Sequence, residues 1–388
     1  MKKSFLIDLV FLIVIMLIIL AGFIKPMISQ IDVISIENRE ANQLPKFSIS
    51  KFIDKSIQDN YELAYADQIP FSSTLKLTNN TVSFRSKLWF LNNFDNSVYK
   101  KISDLNIVED CLLYDYVPTS EIVDELDKKI TNINKIEEAN KNKKFYVFYF
   151  ETDRDINIEN NDKSSNYEYL KKGLNSKIKT SLLDINSLND YKKYFYQTDH
   201  HWNYKGSYEA YKRIIQMILG DSEKVIVPNK LVTFNSIFDG SKARSLGAVK
   251  YYNEKFSAYD FTLAKHDYYK NGQKVDFIAD TKTLINNNPQ YISYGNWYGN
   301  DYGLLEYDYK NTKKDNLLIL GDSYDNAIGE LVASHFNKTY IVDLRHYKKS
   351  MDKEFNINEF IKENEIDKIL IVGGYIYFTY EDFIVRGV

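Results

Sequence analysis

Leu317-Leu318-Ile319-Leu320-Gly321-Asp322-Ser323-Tyr324 is the stretch on which the fold turns. An apolar, strand-like run ends there in a small-residue turn that carries a serine. Downstream, a helix is expected near 326–336, a strand over 339–344, a helix near 357–364 and a last strand over 368–374, Lys368-Ile369-Leu370-Ile371-Val372-Gly373-Gly374. Strand and helix in alternation argue for parallel strands joined by helical crossovers. In such a sheet, sites form outside the carboxyl ends of the strands. Ser323 lies just past such an end, ahead of a helix whose first N–H groups could stabilise an anion. Taken alone, Gly321-Asp322-Ser323 is better read as a turn with Asp or Ser as N-cap.

Upstream, apolar residues Ile122, Leu126, Ile130, Ile133 and Ile136 recur at helical spacing over 119–141, with Ser120 as the expected N-cap. Residues 143–150 (Lys-Lys-Phe-Tyr-Val-Phe-Tyr-Phe) show no alternation and predict a strand buried on both faces. Residues 161–175 read as a polar, helix-like connection, 181–184 as a short second strand, and 206–219 as an amphipathic helix ended by Gly220. Residues 225–290 differ in texture, with short Tyr/Phe/Val-rich runs divided by turn residues such as Asn271-Gly272, and read as a β-rich excursion from the main domain.

The chain has 388 residues, 44% of them apolar, enough for one large α/β domain or two smaller ones. A net charge of -3 supplies neither the basic field of a nucleic-acid partner nor an acidic tail. The 32 tyrosines accompany abundant Asn, Lys and Ile, as in an AT-rich genome, and are discounted as a sign of carbohydrate stacking. At the N-terminus, Lys2-Lys3 precede an apolar run over 5–24 broken only by Asp8. Twenty helical residues span about one bilayer core. The lysines favour a cytoplasmic start at 1–4 and an exported remainder. An uncleaved anchor is preferred to a signal peptide because the run is long and lacks an A-x-A pattern. A linker over 25–50 and an extracytoplasmic domain over 51–388 would follow. Cys111 is the single cysteine, so neither a lipoprotein nor an intrachain disulfide is available.

Chemistry is concentrated in Thr198-Asp199-His200-His201-Trp202. A carboxylate two residues before an imidazole can fix its tautomer and stabilise its charged form, as a general base requires. Adjacent histidines diverge, and His266, His335 and His346 are scattered, which argues against a metal. Tyr298-Gly299-Asn300-Asp301 offers an oxyanion donor in the Asn300 amide, with Asn296 as the competing choice. Asn300 could equally belong to an ordinary Asn/Gly turn.

Asp199-His200-His201-Trp202 with Gly321-Asp322-Ser323-Tyr324 resembles the DHHW family of Gram-positive bacteria, which is similar to the alginate O-acetyltransferase group of the SGNH hydrolase superfamily. The resemblance extends to Glu37-Asn38-Arg39 with Pro45 and Phe47, to Asp67-Gln68-Ile69-Pro70 and to Asp343-Leu344-Arg345. It implies an SGNH-like parallel sheet flanked by helices, with the Asp/His block before the serine block, a permuted order. It assigns Ser323 as nucleophile, His201 as base and Asp199 as its partner, and leaves His200 without a catalytic role. The SGNH asparagine block is not cleanly recognisable, so Asn300 is the weaker assignment. The implied activity is acyl transfer, of acetyl above all, onto hydroxyls of a cell-surface polysaccharide. It needs no cofactor, and its donor would be a multispanning membrane acyltransferase. An anchored carbohydrate esterase and a non-catalytic polysaccharide-binding or assembly protein are the alternatives.

Overall fold

The computed structural model describes residues 2–34, 39–95, 97, 99–160 and 162–386. Glu37 and Asn38 of the motif after the anchor lie outside them, as does Asn161. The chain divides into two units, Met1–Ser97 with Ala243–Ala248, and Val98–Lys242 with Val249–Val388.

The first unit is helical. Helix α1 (Lys2–Ile28) contains one segment, Ile7–Ile28, long and apolar enough to cross a membrane, with a mean hydropathy of 3.1 and none of its most apolar window buried in the protein. The helix runs about one turn past residue 24, where the anchor was expected to give way to the linker, with Lys25 and Pro26 inside it. Helices α2 (Ile49–Ile53), α3 (Ser56–Gln68) and α4 (Ser72–Phe94) follow, so the structure groups these residues with the anchor rather than with the sheet. Asp67-Gln68 has a structural explanation. The buried Gln68 amide accepts from Ile31 N–H (2.7 Å) and donates to Ile31 C=O (2.9 Å) and Asn42 C=O (3.1 Å), while Asp67 accepts from the Asn42 backbone and side chain (3.0 and 2.8 Å). The chain leaving the anchor is thereby tied to the end of α3.

The second unit is built on an eight-stranded sheet. In chain order its strands are β1 (Lys144–Phe150), β2 (Lys179–Leu183), β3 (Asp267–Lys270), β4 (Gln273–Val275), β5 (Leu304–Asp308), β6 (Leu317–Leu320), β7 (Lys338–Val342) and β8 (Lys368–Gly373). Their spatial order is β4-β3-β5-β7-β6-β8-β1-β2. The run from β7 to β2 is parallel, and β5, β3 and β4 extend one edge antiparallel. The unbroken apolar runs are explained by two cores. Phe148, Phe150, Leu317, Ile319, Leu370 and Val372 face one, Val147, Tyr149, Leu318, Leu320, Ile369 and Ile371 the other. Helix α5 (Val123–Ala139) covers the second core, and α6 (Asn166–Gly173) follows β1. Helices α7 (Leu188–Tyr194) and α8 (Tyr204–Leu219) lie on the first, and α8 ends at Gly220 with φ 90°.

Two local expectations are corrected and a third is sharpened. Ser120 does not cap α5: it lies in a 3-10 turn, Thr119–Glu121, and α5 begins at Val123. The β-rich stretch 225–290 forms strand pairs outside the main sheet, Lys230–Thr233 with Ser257–Asp260 and Ile237–Phe238 with Tyr291–Ile292, while β3 and β4 within it extend that sheet's edge through pairs such as Tyr268↔Tyr307. The helix expected near 326–336 is a 3-10 turn, Asp325–Ala327, followed by Gly329–Ala333.

Candidate active site

β6 is flanked on both sides by parallel neighbours, in register at Leu320↔Val342 and Leu320↔Ile371, and the chain turns sharply on leaving it. A Cβ on Gly321 would lie 2.2 Å from Asp325 Oδ2 and 3.3 Å from Val372 C=O, so any larger residue would have to displace the Asp325 side chain. Asp322 Oδ1 accepts from Tyr324 N–H (3.1 Å) and Asp322 C=O from Asp325 N–H (2.9 Å), which closes the turn and leaves Ser323 at its partly exposed tip.

The histidine loop is built as a clasp between α7 and α8. Phe195 and Trp202 form a bridge, Tyr196 N–H donates to His201 C=O (3.1 Å), and Asn203 caps α8 by accepting from Lys205 and Gly206 N–H (2.8 and 3.2 Å). Glu254 accepts from Gln197 N–H, Thr198 N–H and Thr198 Oγ1 (2.8, 2.9 and 2.6 Å). Burial of its carboxylate pushes the Glu254 carboxyl up to about 7.

The two halves meet. Asp199 Oδ1 lies 2.7 Å from His201 Nδ1 and accepts from His201 N–H at 2.9 Å, and His201 Nε2 lies 2.8 Å from Ser323 Oγ, 122 residues along the chain. Asp199 Oδ2 is taken by Ser241 N–H (2.7 Å). Burial works against the charge on Asp199, but His201, hydrogen-bonded to it, and then His200 outweigh it and hold the carboxyl well below its ordinary range. Asp199 is therefore ionised whenever His201 needs a counter-charge, which favours the tautomer with hydrogen on Nδ1 and the lone pair of Nε2 facing Ser323. His200 points elsewhere, with Nδ1 2.6 Å from Ser241 Oγ.

Aromatic rings fix the imidazole. Tyr294 stacks on His201 with centroids 3.8 Å apart and planes 3° from parallel. Tyr324 packs against Phe150 (4.4 Å) and edge-on to Trp202 (5.3 Å), and its hydroxyl donates to His200 C=O, so the residue after the nucleophile braces the histidine loop. Trp202 is fully buried and serves as a packing anchor.

Asn300 is exposed, and no hydrogen bond joins it to Asp199, His201 or Ser323; its Oδ1 lies 2.7 Å from where a Cβ on Gly295 would be. Asp301 beside it accepts from Asn326 Nδ2 (3.2 Å), which brings that loop to the turn after Ser323. Asn296 instead takes part in the capping box of helix Tyr294–Tyr298, accepting from Ser293 N–H at 2.8 Å. The expected helix N-terminus does not open on Ser323, because helix Gly329–Ala333 starts only after the 3-10 turn.

Behind the nucleophile, burial pushes the Asp322 carboxyl up to about 6 against the opposing pull of Arg345, and raises Asp325 well above the carboxylate range. Arg345 grips Asp343 (Nε–Oδ1 3.0 Å, Nη2–Oδ2 2.6 Å) and reaches Asp301 Oδ2 (3.3 Å), which accounts for the Asp343-Leu344-Arg345 motif. Two groups, Asp199/His200/His201 and Asp301/Asp343/His346, place potential metal-ligand atoms within 4.8 Å of one another. In the first, Asp199 Oδ1 is committed to His201, which reaches Ser323 through Nε2, and in the second both carboxylates are already paired with Arg345.

Sequence reasoning brought out Asp199, His201 and Ser323 but missed Ser241, Glu254 and Tyr294. Ser241 acts through its backbone N–H, for which no side-chain pattern exists, and Tyr294 is one tyrosine among many.

This geometry defines a class: an α/β domain with a Ser-His-Asp constellation at the carboxyl end of a mostly parallel sheet, the Asp/His block preceding the serine. Solved structures share the fold. The chain is similar to Bacillus cereus PatB1 with a sulfonyl adduct (21% identity, TM-score 0.58, covering 73% of this chain and 98% of that one) and to a DHHW family protein from Eubacterium siraeum (18% identity, TM-score 0.56, 74% and 96%). The resemblance drawn from the motifs thus holds at the level of fold. The O-acetyltransferase domain of Pseudomonas putida AlgJ aligns at a TM-score of 0.37 with 9% identity, too distant to bear on the argument. No protein-family model and no curated protein sequence matches the chain.

Proposed function

We propose that the chain is a membrane-anchored, extracytoplasmic O-acyltransferase that moves an acetyl group onto a hydroxyl of a cell-surface polysaccharide through an acyl-serine intermediate. The observation that carries this reading is the relay from Asp199 through His201 to Ser323, at 2.7 and 2.8 Å. Ser323 Oγ attacks the donor's carbonyl carbon as its proton passes to His201 Nε2. The tetrahedral oxyanion collapses, the C–O bond to the leaving group breaks, and His201 returns the proton to that oxygen. An acceptor hydroxyl then gives its proton to His201 and attacks the acyl carbon, the bond to Ser323 Oγ breaks, and His201 Nε2 returns the proton to Ser323 Oγ. For the oxyanion we assign the Ser323 N–H, which has no protein acceptor among the described residues, and Asn300 Nδ2 as the second donor.

Lys2-Lys3, ahead of the apolar run of α1, support an exported domain, and the donor in that compartment would be a multispanning membrane acyltransferase. The sulfonyl adduct named for PatB1 suggests the first experiment: a sulfonyl fluoride should label Ser323 in the full chain and not in Ser323→Ala. Turnover of a chromogenic acetyl ester should fall by at least about 10³-fold in Ser323→Ala; unchanged turnover would remove Ser323 from the mechanism. Supplying that ester with a sugar acceptor separates transfer from hydrolysis, since acetate released with no acetylated sugar would mark an esterase. A reporter fused after residue 388 that is active only in the cytoplasm would overturn the topology.

A further inference from the structure

A cleft of about 510 Å³ opens in the second unit beside the Ser323 turn, within the roughly 300–1,000 Å³ range of ligand-binding clefts. The residues bounding it come from two directions. Asn326 and Ala327, in the 3-10 turn that follows Ser323, form one side, and the stretch 259–282 forms the other. Two ring contacts connect it to the relay: His201 stacks on Tyr294 at 3.8 Å, and Tyr294 packs on Tyr298 at 4.7 Å, which lines the cleft.

The walls are aromatic. Phe261, Phe277, Trp297 and Tyr298 line them, and Phe277 is 47% exposed, which leaves it open to a ligand. Polar groups converge between the rings. Tyr268 Oη donates to Glu330 Oε1 (2.7 Å), and the His266 side chain, 3% exposed, has Nε2 3.2 Å from the same oxygen without hydrogen-bond geometry. His266 Nδ1 donates to Ala264 C=O (2.8 Å), so Nε2 is an acceptor without a partner beside a half-exposed carboxylate, and two hydroxyls of one ligand could donate to the two groups.

Charge narrows the class of ligand. Asp260, Asp276, Asp280 and Glu330 line the cleft against only Lys265 and Lys282, with no arginine. A uronate or phosphate-bearing chain would meet like charge, whereas an uncharged sugar chain would lay its C–H faces on the rings and its hydroxyls on Glu330 and His266. We infer that this cleft is the acceptor subsite and that it takes an uncharged glycan rather than an acidic one. The inference rests on the transferase reading for the word acceptor, but binding itself needs neither donor nor Ser323.

The test therefore measures binding without a donor. Full-length chain in detergent is titrated, by tryptophan fluorescence, with a neutral hexose oligomer, an N-acetylhexosamine oligomer and a uronate oligomer of equal length. At least one neutral oligomer should bind saturably and at least about tenfold tighter than the uronate. Phe277→Ala and Glu330→Gln should each weaken it by about fivefold or more, with circular dichroism unchanged. Equal or tighter binding of the uronate would overturn the inference, as would the absence of neutral-glycan binding or unaltered affinity in both variants. Ester turnover with Ser323→Ala judges the transferase reading separately. A chain that turns over ester but binds no neutral glycan loses only the cleft assignment. One that binds glycan while Ser323→Ala keeps full turnover loses only the mechanism.

Discussion

His200 and His201 are neighbours of identical chemistry, and only their surroundings tell them apart. His201 lies between Asp199 and Ser323 and under the Tyr294 ring, while His200 turns to Ser241. His201→Ala should cost at least about 10³-fold in kcat on a chromogenic acetyl ester and His200→Ala less than about tenfold; the reverse ranking would exchange their roles. Asp199→Asn should keep the fold but lower kcat by about 10³–10⁴-fold, because an amide no longer enforces the Nδ1–H tautomer. Asn300→Ala should lower kcat by about 10²-fold with little change in KM if its amide meets the oxyanion. An unchanged kcat would leave the Ser323 N–H as the remaining assigned donor. The pairing of Asp199 with His201 was legible because it is local in sequence. Ser241, 42 residues from Asp199, was not, since it contributes a backbone N–H that any residue but proline could supply.

Among the elements, the contact between α8 and the histidine loop is the most demanding. Gly206 lies in the first turn of α8, where a Cβ would approach Tyr194 C=O to 2.0 Å and Trp202 Cβ to 2.9 Å. Gly206→Ala should therefore lift α8 from the loop and lower the urea unfolding free energy by about 2–3 kcal/mol. Activity per folded molecule should fall with it, because α8 and the loop share the Asn203 cap. An alanine variant with wild-type stability would show that the loop is not packed against α8 in this way. Helix α8 and strand β1 were readable from periodicity and from an unbroken apolar run. Strand β5 was not, because Leu304-Leu305-Glu306-Tyr307-Asp308 has polar interruptions and gains its place only by pairing with β3 and β7. A strand of this kind is selected by partners distant in sequence.

At the scale of the whole molecule, buried carboxyls on both halves of the site couple folding to pH. Glu254 ordinarily titrates at 4.5, and burial pushes it up to about 7 in the folded chain. Between those values the folded state binds more protons than the unfolded one, so this group's contribution to stability is full below about 4.5 and is lost as pH rises toward about 7. Asp322 acts in the same sense from 3.8 to about 6. In Glu254→Gln that contribution is absent. The urea midpoint of the wild type should therefore drop more between about pH 5 and pH 7 than that of the variant; parallel curves would place the Glu254 carboxylate in water.

The sequence by itself determined whatever depends on neighbours along the chain: an apolar α1 of membrane-spanning length, the buried strands β1, β6 and β8, the helical period of α5 and α8, and the Asp199–His201 spacing. Each follows from backbone geometry and burial, which repeat every few residues and need no distant partner. Only the tertiary structure decided that Ser323 Oγ meets His201 Nε2, that β3 and β4 belong to the main sheet, that Tyr294 and Ser241 hold the relay, and that an acid-lined aromatic cleft opens beside it. Those features arise from chain crossings over tens to more than a hundred residues. Their physical cause is the closing of one sheet around two cores, which brings together side chains that no local pattern connects.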